Sequence, residues 1–366
     1  MRKTAYRRFG IGATALLVSA AAHAQSQDFK GMTLTVLGVN SDLNALYMST
    51  YGKAFEAATG AKLVIVTGSS ADNLSKALVA KGRTPTFQVL ALENPTQAQA
   101  ILAGAIQKQD YTQMPHTKDL ARGAIPSPGY GPAYDFFRFG TCVNTAQYAA
   151  HHVALPTGID GWFDPAIIGH AILPSPSNFW WTTGMQALAD NFNVSLDNPA
   201  PLFDKLKAMK PMNLYTASGQ AQAMIQSGSA WMAPMSDGRC FALKSAGQPV
   251  DFVPLNIKIK GKQYPWVVGV DTWEIPTGLT GKNLAMAYKF IDMSLDVPSA
   301  LAAVKKFGFE PTTVEGLKEA MALPEAKKVD MYGANFSFDQ MYTPDPGKLL
   351  PVLSKWIALW NETFVQ

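Results

Sequence analysis

An α/β fold of two lobes is predicted for this chain, each lobe a mainly parallel sheet flanked by helices, with a ligand cleft between the lobes. Strands and helices alternate along residues 32–105, which is typical of parallel sheets covered by helices. The chain has 366 residues, of which 48% are apolar, and this exceeds what one hydrophobic core usually accommodates. Two cores, and hence two lobes, are therefore expected.

The first lobe begins with a β-α-β unit. Apolar residues follow each other in the strands and recur at helical spacing between them, and Gly60 ends the first helical pattern. The predicted elements are, in order, a strand over 32–39, a helix over 46–60, a strand over 62–68, a helix over 71–82, a strand over 87–93 and a helix over 95–105.

One edge of this sheet is the predicted ligand site. In parallel sheets, ligands bind beyond the carboxyl ends of the strands. We therefore expect the segments that follow three strands to gather there: residues 38–41 with Asn40 and Ser41, residues 68–70 with the helix-capping Ser69 and Ser70, and Glu93.

The chain then crosses to a second lobe and returns. A Pro/Gly-rich stretch at 126–132 precedes a strand at 135–145 that leaves the first sheet, and strands at 249–257 and 267–276 lead back. The predicted parts are the first lobe over 25–136, the second lobe over 137–252, a return segment of the first lobe over 253–312, and C-terminal helices that brace the lobes over 313–366.

Residues 1–24 have the pattern of a cleavable secretory signal peptide. Four basic residues precede the apolar stretch FGIGATALLVSAAA, which ends in the small-residue site AHA. We expect cleavage before Gln25 and export to the periplasm, with Arg7-Arg8 leaving a twin-arginine route open beside the general secretory one. No later segment has the ~20 consecutive apolar residues that a membrane-spanning helix needs.

Charge argues against nucleic acid or an anionic membrane as a partner. Removal of the signal peptide takes away four of the 31 basic residues and none of the 27 acidic ones, so 27 of each remain. A neutral surface without a basic run does not attract polyanions. A small-molecule ligand and a monomeric protein are expected instead.

Four segments resemble, in order, the type II periplasmic solute-binding proteins of ABC importers. They are YGKAFEAATGAKLVIVTGSSADNLSKALVAKGR, LPTGIDGWFDPAIIGHAILPSPSN, AMIQSGSAWMAPMSDGRCFALKSAGQPVDFVPL and AMAYKFIDMSLDVPSALAAVKKFGFEPTT. The most similar subgroup is that of spermidine/putrescine-type importers. The resemblance implies that a small organic cation is bound between two lobes, which close and present it to an ABC permease in the inner membrane.

Three carboxylates are the candidate cation ligands. Glu93 ends an apolar strand, Asp237 follows one, and Asp271 lies within the returning strand. A buried carboxylate is costly unless it is paired, so an acid at such a place favours a positively charged guest. Each also has an ordinary alternative, since Glu93 and Asp237 can cap helices and Asp271 can pair with a lysine. Asp271 is the strongest candidate, because it matches a ligand carboxylate of polyamine-binding relatives.

One departure from those relatives concerns the segment LPSPSNFWW. The relatives carry acidic residues there, whereas Ser175, Ser177 and Asn178 are neutral. The ligand is therefore expected to have one charged nitrogen, or to be a zwitterion whose carboxylate or phosphonate meets the helix N-terminus at Ser69 and Ser70. An anionic solute held at the same N-terminus is the alternative.

Aromatic residues are numerous enough to build a cation box. Trp180 and Trp266 are the two that we assign to the ligand wall, where cation–π contacts contribute ~0.5–2 kcal/mol each. Tyr134 is expected either to line the cleft or to brace it.

Cys142 and Cys240 are the only cysteines, and both enter an oxidising compartment. A disulfide within the second lobe is expected, with two separate thiols as the alternative.

Catalysis and cofactor binding are not predicted. The sequence lacks a Gly-X-Ser-X-Gly elbow, a His-Glu-X-X-His motif, a phosphate loop and a complete dinucleotide fingerprint. A secreted hydrolase is kept as a remote alternative. Ferric-ion binding, which occurs among relatives, usually uses clustered tyrosines, and no adjacent pair is present.

Overall fold

A computed structural model of the chain describes residues 29–39, 41–176, 179–333, 336 and 338–365. The predicted signal peptide lies outside the described residues, as do Asn40, Ser177 and Asn178. Among the residues that the structure describes, no helix combines the length and the apolar character needed to cross a membrane.

Twelve strands are found in the described part of the chain. They are β1 Thr33–Leu37, β2 Lys62–Val66, β3 Val89–Glu93, β4 Ala133–Asn144, β5 Ile172–Pro174, β6 Asn213–Tyr215, β7 Met232–Ser236, β8 Val250–Pro254, β9 Ile257–Ile259, β10 Lys262–Tyr264, β11 Trp266–Glu274 and β12 Met341–Tyr342.

The helices cover these strands. They are α1 Ser41–Tyr47, α2 Lys53–Thr59, α3 Ser70–Ala80, α4 Asn94–Leu102, α5 Thr145–Ala150, α6 Phe179–Asn191, α7 Ala200–Ala208, α8 Ser218–Gln226, α9 Asp237–Ser245, α10 Gly281–Ser294, α11 Val297–Phe307, α12 Val314–Ala322, α13 Pro324–Lys328, α14 Pro346–Leu349 and α15 Leu353–Phe364. A π-helical turn, Met48–Gly52, joins α1 to α2.

One sheet runs through the whole molecule in the strand order β2-β1-β3-β11-β4-β7, with β12 beside β11 and β8 beside β4. β1 is parallel to β2 and β3, whereas β11 is antiparallel to both β3 and β4. β5 and β6 form a parallel pair, and a bridge from Ala171 to Met232 sets this pair alongside β7. The sheet is therefore mixed rather than mainly parallel as predicted, because β4 is antiparallel to β7, β8 and β11, and β11 is antiparallel to β3.

The long strand β4 belongs to both lobes. Its first half, Ala133 to Phe139, pairs with β11, and its second half pairs with β7 on one side and β8 on the other. We call the part built on β1–β3 the first lobe and the part built on β5–β8 the second lobe. The predicted two-lobed α/β fold is confirmed, and β4 and β11 connect its halves.

Each lobe has its own hydrophobic core, as the length of the chain predicts. The first-lobe core lies between β1, β3 and the helices α2 and α10, and includes Phe55, Trp273 and Phe290. The second-lobe core includes Trp162 and Trp181, and the C-terminal helix α15 adds Trp356 and Trp360 to it. Complete burial of large aromatic side chains supplies much of the hydrophobic stabilisation of both cores.

Local signals place the helix ends where the sequence predicts them. Gly60 ends α2 in the left-handed conformation with φ 69°, which glycine adopts without strain. Ser69 caps α3, and the Asp72 carboxylate accepts a hydrogen bond from the backbone N–H of Ser69 in return.

Cys142 in β4 and Cys240 in α9 are joined by a disulfide, the pairing expected from the sequence. Both residues belong to the second lobe, where they are fully buried beside Ile172 and Tyr215. The bond therefore ties α9 to the half of β4 that the second lobe uses.

Candidate ligand site

Three carboxylates lie side by side on neighbouring strands. Asp271 in β11 is directly opposite Glu93 in β3 and directly opposite Asp135 in β4. Directly opposed residues point to the same face of a sheet, and adjacent strands are about 4.8 Å apart. We call Glu93, Asp271 and Asp135 the acid row.

The acid row is short of positive charge. No lysine, arginine or histidine of the described chain forms an ion pair with any of its three members. One oxygen of Glu93 and one of the deeply buried Asp135 have no hydrogen-bond partner. Buried carboxylates without partners are costly, so this row favours a cationic guest.

Burial shifts the titration of all three acids. It raises the pKa of Glu93 to about 8, helped by the negative charge of Asp271. Burial also raises the pKa of Asp271 to about 7, which a hydrogen bond from the Asp135 side chain partly offsets. The pKa of Asp135 lies well above its usual range because of burial and the nearby charge of Asp271. A cation placed against the row would reverse these shifts.

Tyrosines form the wall next to the row. Tyr47, Tyr51 and Tyr134 are buried, and none of their hydroxyl groups has a hydrogen-bond partner. Tyr134 stacks on Trp273 with ring centroids 4.2 Å apart, and Tyr47 meets both rings edge-on. The negative charges of Asp135 and Asp271 act on Tyr47 and Tyr134, which places these rings beside the row. Aromatic faces and free hydroxyls suit an ammonium group.

Asp237 has a different partner from the one that the sequence suggested. Its carboxylate lies 2.8 Å from Nε of Arg138 and accepts hydrogen bonds from the backbone N–H groups of Arg138 and Gly238. Both side chains of this ion pair are 0% exposed. The expectation that Asp237 faces a ligand cation is therefore corrected: an arginine of the same chain, on the face of β4 opposite Asp135, neutralises it.

Glu310 completes this buried ion pair. Its Oε1 lies 2.7 Å from Nε of Arg138, and Arg138 also donates to the carbonyl oxygen of Met331. Burial raises the pKa of Glu310 well above its usual range, and the charge of Arg138 opposes the shift. One guanidinium thus lies against two buried acids.

Aromatic rings surround the Arg138 guanidinium. The Arg138 guanidinium carbon is 4.5 Å from the centroid of the Trp266 ring. The rings that surround this guanidinium are those of Phe241, Phe252, Trp266, Tyr332 and Phe336. The assignment of Trp266 to the ligand wall is corrected accordingly, since the cation that it covers is internal.

The N-terminus of α3 is already satisfied. The Ser69 hydroxyl accepts a hydrogen bond from the backbone N–H of Asp72, and the Asp72 carboxylate accepts one from the backbone N–H of Ser69. The Asp72 carboxylate also repels a second anion. The Ser70 hydroxyl contacts the Thr96 hydroxyl and accepts a hydrogen bond from the backbone N–H of Glu93. The expectation that Ser69 and Ser70 bind an anionic ligand group is corrected, because both hydroxyls serve the local structure; Ser70 holds Glu93 in place.

Two further candidates lie near the start of their helices. Ser41 is exposed in the first turn of α1. Trp180 is partly buried in the first turn of α6, stacks on Phe139 and has an indole N–H without a partner. Trp180 stays a candidate for the ligand wall.

Sequence reasoning missed Asp135, Arg138, Tyr47 and Tyr51. A signal for the first two was present, because both interrupt the otherwise apolar strand AYDFFRFG. Tyr47 and Tyr51 are four residues apart, a spacing equally typical of a core-facing helix. In the part of the chain that is described, His, Cys, Asp and Glu form no group that could hold a metal ion.

Comparison with known proteins places this architecture in the class of extracellular solute-binding proteins. Residues 50–328 match the family described as bacterial extracellular solute-binding protein. The chain belongs to this family. No curated protein is significantly similar to it.

Solved structures share the fold at low sequence identity. An ABC transporter protein from Clostridium perfringens superposes with a TM-score of 0.71 at 20% identity, over 90% of this chain and 99% of that one. A GABA receptor gives 0.69 at 19%, over 90% and 97%. The spermidine/putrescine transporter substrate-binding protein PotD from Streptococcus pneumoniae gives 0.67 at 16%, over 92% and 98%.

The protein is thus an extracellular solute-binding protein, not an enzyme. Membership of an extracellular family also implies an exported protein.

Proposed function

We propose that this protein captures a small solute with a protonated amine, which binds at the acid row, and delivers it to an inner-membrane permease. It acts in the periplasm as a monomer, after removal of the signal peptide over residues 1–24, and it has no nucleic-acid partner. The lobe boundaries predicted from the sequence are part of this proposal.

The acid row carries the proposal. Glu93, Asp271 and Asp135 share one face of the sheet, lack a cation from the described chain, and lie beside tyrosine hydroxyls without partners. An ammonium group has three N–H donors and one positive charge, so it can satisfy these acceptors and offset the cost of burying a carboxylate.

The solved neighbours support an amine ligand as a class. Two of them are named for their solutes, spermidine and putrescine in one case and GABA in the other, and all three solutes contain amines. Because the sequence identity of these neighbours to this chain is low, the preference for one amine over another depends on the side chains of this chain.

Lobe closure is the mechanism that we propose for capture. Glu93 and the carboxyl-terminal part of β11 belong to the first lobe, whereas Trp180 belongs to the second. A ligand that contacts both lobes stabilises the closed state over the open one by the contacts made only on closure. The closed protein then presents both lobe surfaces to the permease.

Asp271→Asn tests the proposal, because it removes a charge and keeps the volume. Calorimetric titration with 4-aminobutanoate and butane-1,4-diamine should show affinity lowered by about 1.5–3 kcal/mol, the range for a charge-assisted hydrogen bond. Asp160→Asn, at an exposed position of the second lobe, is the matched control and should change nothing. Unchanged affinity in folded Asp271→Asn protein would falsify the amine site.

A further inference from the structure

We propose that a groove in the first lobe, on the face of the sheet opposite the acid row, binds an alkyl carboxylate. The groove is a cavity of about 570 Å³ between α3, β1, the end of β2 and the loop that leads into β3. Cavities of this size hold one small organic molecule. This second site is independent of the proposed function, because no residue of the acid row lines it.

Alternation of side chains along the strands separates the groove from the acid row. Leu37 in β1 lines the groove and is directly opposite Leu90 in β3, and both belong to one small apolar cluster. Glu93 lies three positions after Leu90, so its side chain points to the other face of the sheet. On that face, Ala91 packs in the core that contains Trp273. A ligand in the groove is therefore separated from the acid row by the sheet.

The groove has an apolar surface because α3 leaves this edge of the sheet uncovered. The helix packs mainly against β3 and α4, whereas β2 is an outermost strand of the sheet. Leu37, Val66 and Phe87 line the groove on the side of the sheet, and Val79 lines it on the side of α3. Val79 is 70% exposed. A hydrocarbon chain in the groove would remove this apolar surface from water.

Positive charge at the groove selects the head group of the ligand. Lys76 on α3 and Arg83, shortly after α3, both line the groove, and neither forms an ion pair with an acid of the described chain. Among the described residues that line it, none is acidic. The hydroxyl groups of Thr84 and Thr86 add further hydrogen-bond donors. Two cations without an acid favour a carboxylate, which can accept hydrogen bonds from both.

An alkyl carboxylate matches both features of the groove. A small anion without a chain would leave the apolar lining in water, and an uncharged hydrocarbon would leave Lys76 and Arg83 without an anion. An alkylammonium of the same length would be repelled by both cations.

Calorimetric titration with octanoate, octan-1-ol and butanoate tests the charged and the apolar half separately. We expect the wild-type protein to bind octanoate about tenfold or more tightly than either other probe, since octan-1-ol lacks the charge and butanoate lacks most of the chain. The double variant Lys76→Gln, Arg83→Gln should weaken octanoate binding about tenfold or more and leave octan-1-ol unchanged.

The matched control is the double variant Lys282→Gln, Lys289→Gln. These two lysines of α10 are exposed, form no ion pair within the described chain and are seven positions apart, as Lys76 and Arg83 are. The control should bind octanoate as the wild type does. Asp271→Asn should also leave octanoate affinity unchanged, because the acid row lies on the other face of the sheet.

Each other outcome contradicts the groove site. Octanoate may fail to bind, octan-1-ol may bind equally well, or the Lys76/Arg83 variant may keep full affinity for octanoate. Loss of octanoate binding in Asp271→Asn would place the carboxylate in the cleft instead. Cosedimentation with phosphatidylglycerol vesicles without octanoate binding would assign the two cations to a membrane surface. Amine titrations of the same proteins test the acid row separately, so failure of one site is distinguishable from failure of the other.

Discussion

At the scale of single residues, similar acids have opposite surroundings. Asp237 and Asp271 both come after runs of mostly apolar residues, and nothing local in the sequence separates them. Asp237 is held by Arg138, whereas Asp271 lies between two more carboxylates. The difference arises from contacts between segments far apart in the chain. Strand register sets the acids opposite Asp271, whereas the packing of the first turn of α9 against β4 brings Arg138 to Asp237.

The pH dependence of stability is a prediction at this scale. Glu93 in the folded protein has a pKa of about 8, and Asp271 one of about 7, both above the ordinary values of these groups. The folded state therefore holds these protons more tightly than the unfolded state. The stability that they contribute is complete below the ordinary pKa values, near 4, and is lost as the pH rises through about 7 and 8.

We therefore expect the melting temperature of the unliganded protein to fall between pH 5 and pH 8.5. Differential scanning fluorimetry at constant ionic strength measures it. Glu93→Gln should flatten the profile, because the amide has no proton to lose, while Asp160→Asn should preserve it. A wild-type melting temperature that rises or stays level between pH 5 and pH 8.5 would mean that Glu93 and Asp271 do not keep their protons in this range.

At the scale of elements, β4 and the N-terminus of α9 are held together by a buried charge. Gly238 permits their close approach to the C-terminal end of α11, since a Cβ there would lie 2.0 Å from the carbonyl oxygen of Phe307. Arg138 is thus enclosed by aromatic rings and two acids, and it reaches Met331 as well. One guanidinium connects the central sheet to three other segments.

Arg138→Met is expected to destabilise the protein by about 3–5 kcal/mol, since it leaves Asp237 and Glu310 buried without a cation. Chemical denaturation monitored by tryptophan fluorescence measures the change. The triple variant Arg138→Met, Asp237→Asn, Glu310→Gln removes the unpaired charges and should recover part of the loss. Equal destabilisation of the single and triple variants would assign the effect to packing rather than to charge.

The sequence predicted elements better than contacts. The first β-α-β unit, the cap at Ser69 and the helix end at Gly60 follow from local patterns, and the structure confirms them. The candidate site was predicted in part: the register pairs Glu93 with Asp271, and Asp135 joins them. Trp266 shows why the rest was missed, because its role depends on Arg138, which lies 128 positions earlier in the sequence but 4.5 Å away in space.

At the scale of the whole molecule, the two lobes differ in covalent support. The disulfide between Cys142 and Cys240 lies in the second lobe and links residues 98 positions apart. The first lobe contains no cysteine and depends on its core alone. The second lobe is therefore expected to be the more resistant of the two to unfolding under oxidising conditions.

Replacement of both cysteines by serine should lower the free energy of unfolding by about 2–4 kcal/mol. Neither side chain belongs to the acid row, so affinity for an amine per folded molecule should not change. Denaturation curves with and without reductant, together with calorimetry, test both points. A change in ligand affinity at equal folded fraction would contradict the separation of the disulfide from the site.

The sharing of β4 and β11 between the lobes also bears on the order of folding. The first-lobe sheet needs β11, which begins at Trp266, yet its other strands are complete by residue 139. The whole second-lobe sheet lies between these positions in the chain. Contacts of such long sequence separation form slowly, because a large loop must close first. Although the first lobe comes first in the sequence, its sheet is therefore completed only after the segments of the second lobe have been synthesised. Until then, β3 exposes an unpaired edge.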